Sequence, residues 1–84
     1  MKIDWYVYIV RCADDSLYTG ITTDLDRRMD EHNHKKNAAA YTRSRRPVIL
    51  VYSEKCDNRS DASRRESEIR TLTKTEKLLL ISEE

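Results

Sequence analysis

Tyr18-Thr19-Gly20-Ile21-Thr22-Thr23-Asp24-Leu25-Asp26-Arg27-Arg28-Met29-Asp30-Glu31-His32 reads as a strand end running straight into a helix. Leu17, Thr19 and Ile21 alternate with Tyr18, Gly20 and Thr22, the period of a pleated strand. Gly20 is the single glycine of the chain. A glycine inside a strand pattern marks a bulge or a place where another group comes close to the backbone. Thr23 or Asp24 can then cap a helix, because a side-chain oxygen there accepts an otherwise orphaned backbone N–H. On that helix Arg28 and His32 are four residues apart and share a face. A permanent cation, an imidazole and the phenol of Tyr18 can therefore converge on one cleft. Such a set suits an anionic substrate whose chemistry moves protons.

Upstream, Trp5 to Cys12 is a dense apolar and aromatic run, a strand signal, with Trp5, Val7 and Ile9 on one face and Tyr6, Tyr8 and Val10 on the other. Ala13-Asp14-Asp15-Ser16 is turn chemistry. The two strands are thus predicted to pair as a hairpin with a loop of about four residues. Tyr8 and Tyr18 can approach each other in it, with the register left open. Downstream, the first helix is predicted from Asp24 to about His34, with Leu25, Met29 and the stem of Arg28 toward the core. Residues 35–40 read as a loop or frayed helix end. Tyr41-Thr42-Arg43-Ser44-Arg45-Arg46-Pro47 is too basic for a core. Val48 to Tyr52 is a third strand, apolar on both faces and so predicted to be central or well covered. Ser60 or Asp61 is the predicted cap of a helix to about Thr71, with Ala62, Glu66 and Ile69 along one stripe. A glutamate is unusual in such a stripe. Thr73-Lys74-Thr75-Glu76 matches a capping box, and Leu78, Leu79 and Ile81 are predicted to dock the last helix. The expected fold is α+β: a small three-stranded antiparallel sheet flanked by helices, in the order β-β-α-β-α-α.

The 84 residues are enough for one domain, expected to span 1–84, with a small core. The net charge of +1 gives no global basic signature, but its distribution is uneven. Residues 1–26 carry two basic and five acidic groups, residues 27–46 seven basic and two acidic, and residues 47–84 seven basic and eight acidic. A basic middle between acidic ends is a candidate phosphate-binding face; a solvated surface is the plainer alternative. Cys12 and Cys56 fit no zinc spacing and make a thin disulfide framework. The start of the chain leads directly into a strand rather than a leader pattern, and no run approaches the roughly 18–20 apolar residues of a membrane span. A cytoplasmic location with reduced thiols is the expectation.

Tyr6-Val7-Tyr8, then Tyr18-Thr19-Gly20, then Arg28, His32 and Glu66 resemble, in that order, the GIY-YIG nuclease superfamily, and within it the small stand-alone, UPF0213-like branch. Tyr6 stands where the motif has its first glycine, and Thr19 where isoleucine or valine is usual. The resemblance implies a metal-dependent, endonuclease-like phosphodiesterase acting on DNA. Tyr18 would activate or position the attacking water, with Tyr8 in support. A phenol ordinarily ionises at about 10, so such a base needs a neighbouring cation or metal. Arg28, selected over Arg27 by the motif, would hold a phosphate oxygen with a planar fork; alternatively it pairs with Asp24 or Glu31. His32 would hydrogen-bond a phosphate oxygen or relay a proton. Glu66, rather than Glu68, would be the metal ligand for Mg²⁺ or Mn²⁺, which keep most of their waters; a surface ion pair with Arg65 or Arg70 is the alternative.

Arg43, Arg45, Arg46, Lys35 and Lys36 form the expected backbone-contact patch, with Arg43 and Arg46 favoured as phosphate ligands and Tyr41 available to stack on a base. DNA, branched or single-stranded forms included, is the implied partner, with RNA left open, no membrane partner and the oligomeric state undetermined. The competing reading is a non-catalytic nucleic-acid-binding module that uses the Arg43–Arg46 loop. A partner-binding domain with a vestigial cleft is a third.

Overall fold

The computed structural model describes residues 2–83. Its elements are strands β1 (Trp5–Arg11) and β2 (Leu17–Thr22), helices α1 (Leu25–His34) and α2 (Ala40–Arg43), strand β3 (Ile49–Cys56), and helices α3 (Arg59–Arg70) and α4 (Lys74–Ser82). The sheet is antiparallel throughout, in the order β2-β1-β3. The α+β class and the predicted order hold, with the four-residue α2 added inside the stretch read as a basic loop.

The central strand is β1, not the third strand as predicted. Val7, Tyr8, Ile9 and Val10 are all at most 1% exposed, so both faces of β1 are covered. β3 instead runs along an edge and leaves Ile49 and Leu50 exposed. Both segments are unbroken apolar runs, so composition alone could not rank them. The hairpin decides, since it places β2 on one flank of β1 and leaves the other flank for β3. Ile9 faces Tyr52 while Val10 faces Leu50, so Val51 is an extra residue and β3 bulges there.

The two faces of β1 feed two cores. Val7 and Ile9 pack with Tyr52 of β3 and Ile69 of α3, and Leu80 and Ile81 of α4 close that side. Tyr8, Val10, Cys12 and Val48 form the other core, against Leu25 and Met29 of α1. The docking residues of α4 are therefore Leu80 and Ile81; Leu78 and Leu79, expected to dock, are exposed. The capping box of Thr73 and Glu76 is present as read. α3 begins earlier than predicted, because the Asn58 side chain accepts from Asp61 N–H at 2.9 Å and takes the N-cap from Ser60 or Asp61. Asp24 caps α1 in the same way, accepting from Arg27 N–H at 3.0 Å. Asn33 clasps α1 to the start of β3, donating to Val48 C=O at 3.1 Å and accepting from its N–H at 2.7 Å. Among the described residues no helix is long and apolar enough to cross a membrane.

Candidate active site

The hairpin register sets the site. Tyr8 faces Gly20 and Val10 faces Tyr18, so the two phenols lie on one face of the sheet, diagonal neighbours, under α1. Gly20 is required by proximity rather than by its backbone angles. A Cβ there would lie 2.5 Å from the Tyr8 phenolic oxygen and 2.7 Å from its Cζ, so the missing side chain is the space that the Tyr8 ring fills.

His32 descends from α1 between the two rings. Its ring centroid is 5.8 Å from that of Tyr8 and 5.7 Å from that of Tyr18, edge-on to both. The imidazole is fully buried. Tyr8 Oη lies 2.8 Å from Nε2, and Nδ1 lies 2.7 Å from Thr42 Oγ1. Thr42 Oγ1 in turn donates to Ala39 C=O at 3.1 Å. The pattern assigns the tautomer. The buried phenol proton needs an acceptor, and neighbouring Arg28 offers only donors. Tyr8 O–H therefore donates to Nε2, Nδ1–H donates to Thr42, and the Thr42 hydroxyl proton goes to the carbonyl. Every proton of the chain then has a partner.

The electrostatics agree. Burial pushes the Tyr8 phenol up to about 12, with Arg28 opposing that rise and the charge of Glu66 adding to it. Burial, then the charges of Arg28 and Arg46, hold His32 down at about 4 against the pull of Glu31. Both groups are neutral around pH 7. The stability consequence has a definite sign. His32 is less basic folded than unfolded, so from pH 6.5 down to about 4 the unfolded chain takes up a proton that the folded chain refuses. The stability that neutral His32 contributes is therefore expected to be lost over that window, about 3 kcal/mol for this one group, while the Asp14, Glu31, Glu54 and Glu76 carboxyls, held below their usual range, continue the fall at lower pH. Urea unfolding across that range measures the fall, and ¹⁵N shifts of the ring at pH 7 should show the Nδ1–H tautomer. A folded protein with a charged His32 at pH 6 would contradict the assignment.

Arg28 is held from both sides, Nη1 donating to Glu31 Oε1 at 2.9 Å and to Asn37 C=O at 3.2 Å. Its side chain retains 22% exposure, enough for an incoming anion to reach it. Glu66, on α3, is near enough for its charge to act on Tyr8. It pairs with Arg70 at 3.2 Å, and Arg70 also donates to Thr19 C=O at 3.2 Å with its Cζ 5.9 Å from the Tyr18 ring centre. Tyr18 is half-buried, and Tyr41 stacks on it at 5.8 Å between centroids.

Among the described residues no three His, Cys, Asp or Glu side chains gather as a metal cage. Glu66, a lone carboxylate with one-fifth of its side chain exposed, suits Mg²⁺ or Mn²⁺, which carry their own waters. It does not suit zinc, which wants several protein ligands.

The basic segment departs most from expectation. Arg46, favoured as a phosphate ligand, instead turns inward and donates to the carbonyls of Glu31, His32 and Lys35, closing the C-terminal end of α1. Arg45 pairs with Asp14 at 3.0 Å and lies 3.9 Å over the Tyr41 ring. Tyr41 thus has Arg45 on one side and Tyr18 as its stacking partner, and stacking on a base would require displacing one of them. Arg43 is exposed and makes one long contact, to Ala38 C=O at 3.4 Å. Lys35 and Lys36 are exposed, and Lys35 lies 4.0 Å from Asp30. His32, expected near a phosphate oxygen, is too deeply buried to touch one. Thr42 went unassigned in the sequence, while the Glu66–Arg70 ion pair weighed there as the alternative for Glu66 is present. Thr42 carries no local signal among alanines and arginines, whereas Arg70 is signalled by its i,i+4 spacing from Glu66.

Two tyrosines and a buried histidine gather at a glycine-bearing hairpin in an α+β fold with a three-stranded antiparallel sheet, the architecture that the GIY-YIG resemblance implies. The family model for the GIY-YIG catalytic domain matches residues 4–78, and the chain belongs to that family. Its relatives place it in the UPF0213-like branch. It is 58% identical over 77 residues to a UPF0213 protein of Desulfotalea psychrophila, covering 92% of this chain and 70% of that one. It is 53% identical over 78 residues to a UPF0213 protein of Staphylococcus haemolyticus, covering 93% and 94%. The solution NMR structure of a UPF0213 protein from Bacillus halodurans is similar, with a TM-score of 0.60 at 43% identity, over 94% of this chain and 83% of that one. The family membership carries a nuclease-like function and a nucleic-acid substrate as its coarse reading.

Proposed function

We propose that the protein is a metal-assisted phosphodiesterase that cleaves DNA, acting in the cytoplasm. The convergence of Tyr8, Tyr18, His32 and Arg28 on one face of the hairpin, with Glu66 close enough to be felt at Tyr8, carries this reading. Tyr18, the more accessible phenol, accepts a hydrogen bond from the attacking water and orients it in line with the scissile bond. Tyr8 is fixed behind it, its proton directed at His32 and its oxygen facing Arg28. Arg28 stabilises the charge that builds on the phosphoryl oxygens. A divalent ion held by Glu66 would supply charge stabilisation for the leaving oxygen. Lys35, Lys36 and Arg43 lend non-specific backbone affinity, which makes binding salt-dependent.

The test is cleavage of single-stranded, duplex and branched DNA with Mg²⁺ or Mn²⁺, by the wild type and by Glu66→Gln. Metal-dependent cleavage by the wild type is expected, falling at least about a hundredfold in the variant, the scale seen when one transition-state-stabilising group is removed. Salt-dependent binding with no cleavage by the wild type under any of these conditions would favour the binding module instead.

A further inference from the structure

Arg70 reaches further than the i,i+4 pair its spacing from Glu66 predicts, to a carbonyl of β2 as well. Three contacts converge on its guanidinium: the Glu66 carboxylate at 3.2 Å, Thr19 C=O on β2 at 3.2 Å, and the Tyr18 ring, whose centre lies 5.9 Å from Cζ. A surface staple would need only the first two. The third places a permanent positive charge at the candidate active site, between the carboxylate of α3 and the more accessible phenol of β2. β2 is an edge strand, and Arg70 ties α3 to it through Thr19 C=O.

We propose that Arg70 is the resident counter-charge of Glu66, and that a divalent cation must displace it in order to bind there. The inference rests on the reading of Glu66 as a cation ligand. It follows from the donor set. Glu66 is the carboxylate whose charge reaches Tyr8, and Arg70 Nη2 lies 3.2 Å from its Oε2. A cation approaching that carboxylate meets both a competitor for the oxygen and a like charge a few ångströms away. The ion pair is partly exposed, Arg70 to 54% and Glu66 to 20% of their side chains, so the competition is modest and sensitive to salt.

The experiment is a Mn²⁺ titration of the ¹⁵N-labelled protein at low ionic strength, following saturable paramagnetic broadening of the amide signals around Glu66. Wild type, Arg70→Gln, Arg70→Lys and Glu66→Gln are compared. Glutamine removes the charge and keeps a donor for Thr19 C=O; the amide spectrum itself shows that the fold is retained. Arg70→Gln is expected to bind Mn²⁺ about three- to tenfold more tightly than the wild type, the scale of a lost exposed ion pair plus a lost repulsion. Arg70→Lys, which keeps the charge, is expected to stay within about twofold of the wild type. The gain in Arg70→Gln should shrink in high salt. If broadening is lost in Glu66→Gln but Arg70→Gln binds no more tightly than the wild type, the proposal is overturned while Glu66 stands as the ligand. An equal gain in Arg70→Lys overturns it too, since charge would not be the cause. If no Glu66-dependent broadening appears in either the wild type or Arg70→Gln, the reading of Glu66 itself falls, and the proposal with it.

Discussion

Replacing Arg28 with alanine is expected to lower DNA cleavage by about 10²–10³-fold, the scale of a lost preorganised donor in an active site, while the protein stays folded. Arg28 is held in place by Glu31 and Asn37 C=O, so it reorganises little when an anion arrives. Its side chain is largely shielded from water, where a charge acts more strongly than at an open surface. The Glu31 pair is partly exposed, and its loss should cost at most about 1 kcal/mol. Arg28→Lys keeps the charge without the planar fork and should recover part of the rate. A second readout separates this role from a structural one. Arg28 helps hold His32 neutral, so its removal should raise the pH at which His32 takes up a proton. Single-turnover cleavage, a melting curve and the ¹⁵N titration of His32 together test the prediction. Near-wild-type cleavage by a folded Arg28→Ala would remove Arg28 from the mechanism.

Gly20→Ala is expected to damage both fold and site. The added carbon would sit 2.5 Å from the Tyr8 oxygen and 2.7 Å from its ring. Tyr8 is 1% exposed and boxed by Val10, Cys12 and Val48, so the ring cannot swing aside. Overpacking of this kind costs about 1–3 kcal/mol, or a drop in melting temperature of roughly 4–8 °C per kcal/mol in a chain of this size. The shift needed would also break the 2.8 Å contact with His32, so cleavage should fall with stability. Tyr8→Phe removes the nearest clashing atom. In a double-mutant cycle Gly20→Ala should therefore cost less when combined with Tyr8→Phe than alone. Additive losses would mean that the clash is relieved elsewhere.

Local chemistry in the sequence reached far but unevenly. The hairpin, a cap of α1 at Thr23 or Asp24 (Asp24 in the structure) and the capping box of α4 depend on residues within a few positions of each other, and all were readable. Which apolar run is central was not, because β1 and residues 48–52 look alike until the third strand chooses its side. The basic segment failed for a related reason. Arg46 binds backbone carbonyls 11 to 15 residues upstream, contacts that exist only once α1 has ended where it does. A positive charge in a sequence does not say whether it will meet a phosphate or a helix end. Thr42 was invisible because its value lies in the imidazole it touches. Tyr18, Arg28 and His32, by contrast, could be grouped in advance from the strand and helix periods, while Tyr8 joined them through the family resemblance until the hairpin register placed it.

The strand that carries Tyr8 is flanked by β2 and β3 and covered on both faces, whereas Tyr18 sits on the outermost strand beside the short helix α2. The proposed site is thus split into a stiff half and a yielding half. Amides of a central strand covered on both faces are expected to open only in global unfolding, so the floor of the proposed site should adapt little. Whatever shape of nucleic acid is admitted, the accommodation must come from the rim: the side of β2 facing away from β1, and the ring of Tyr41 that leans on it.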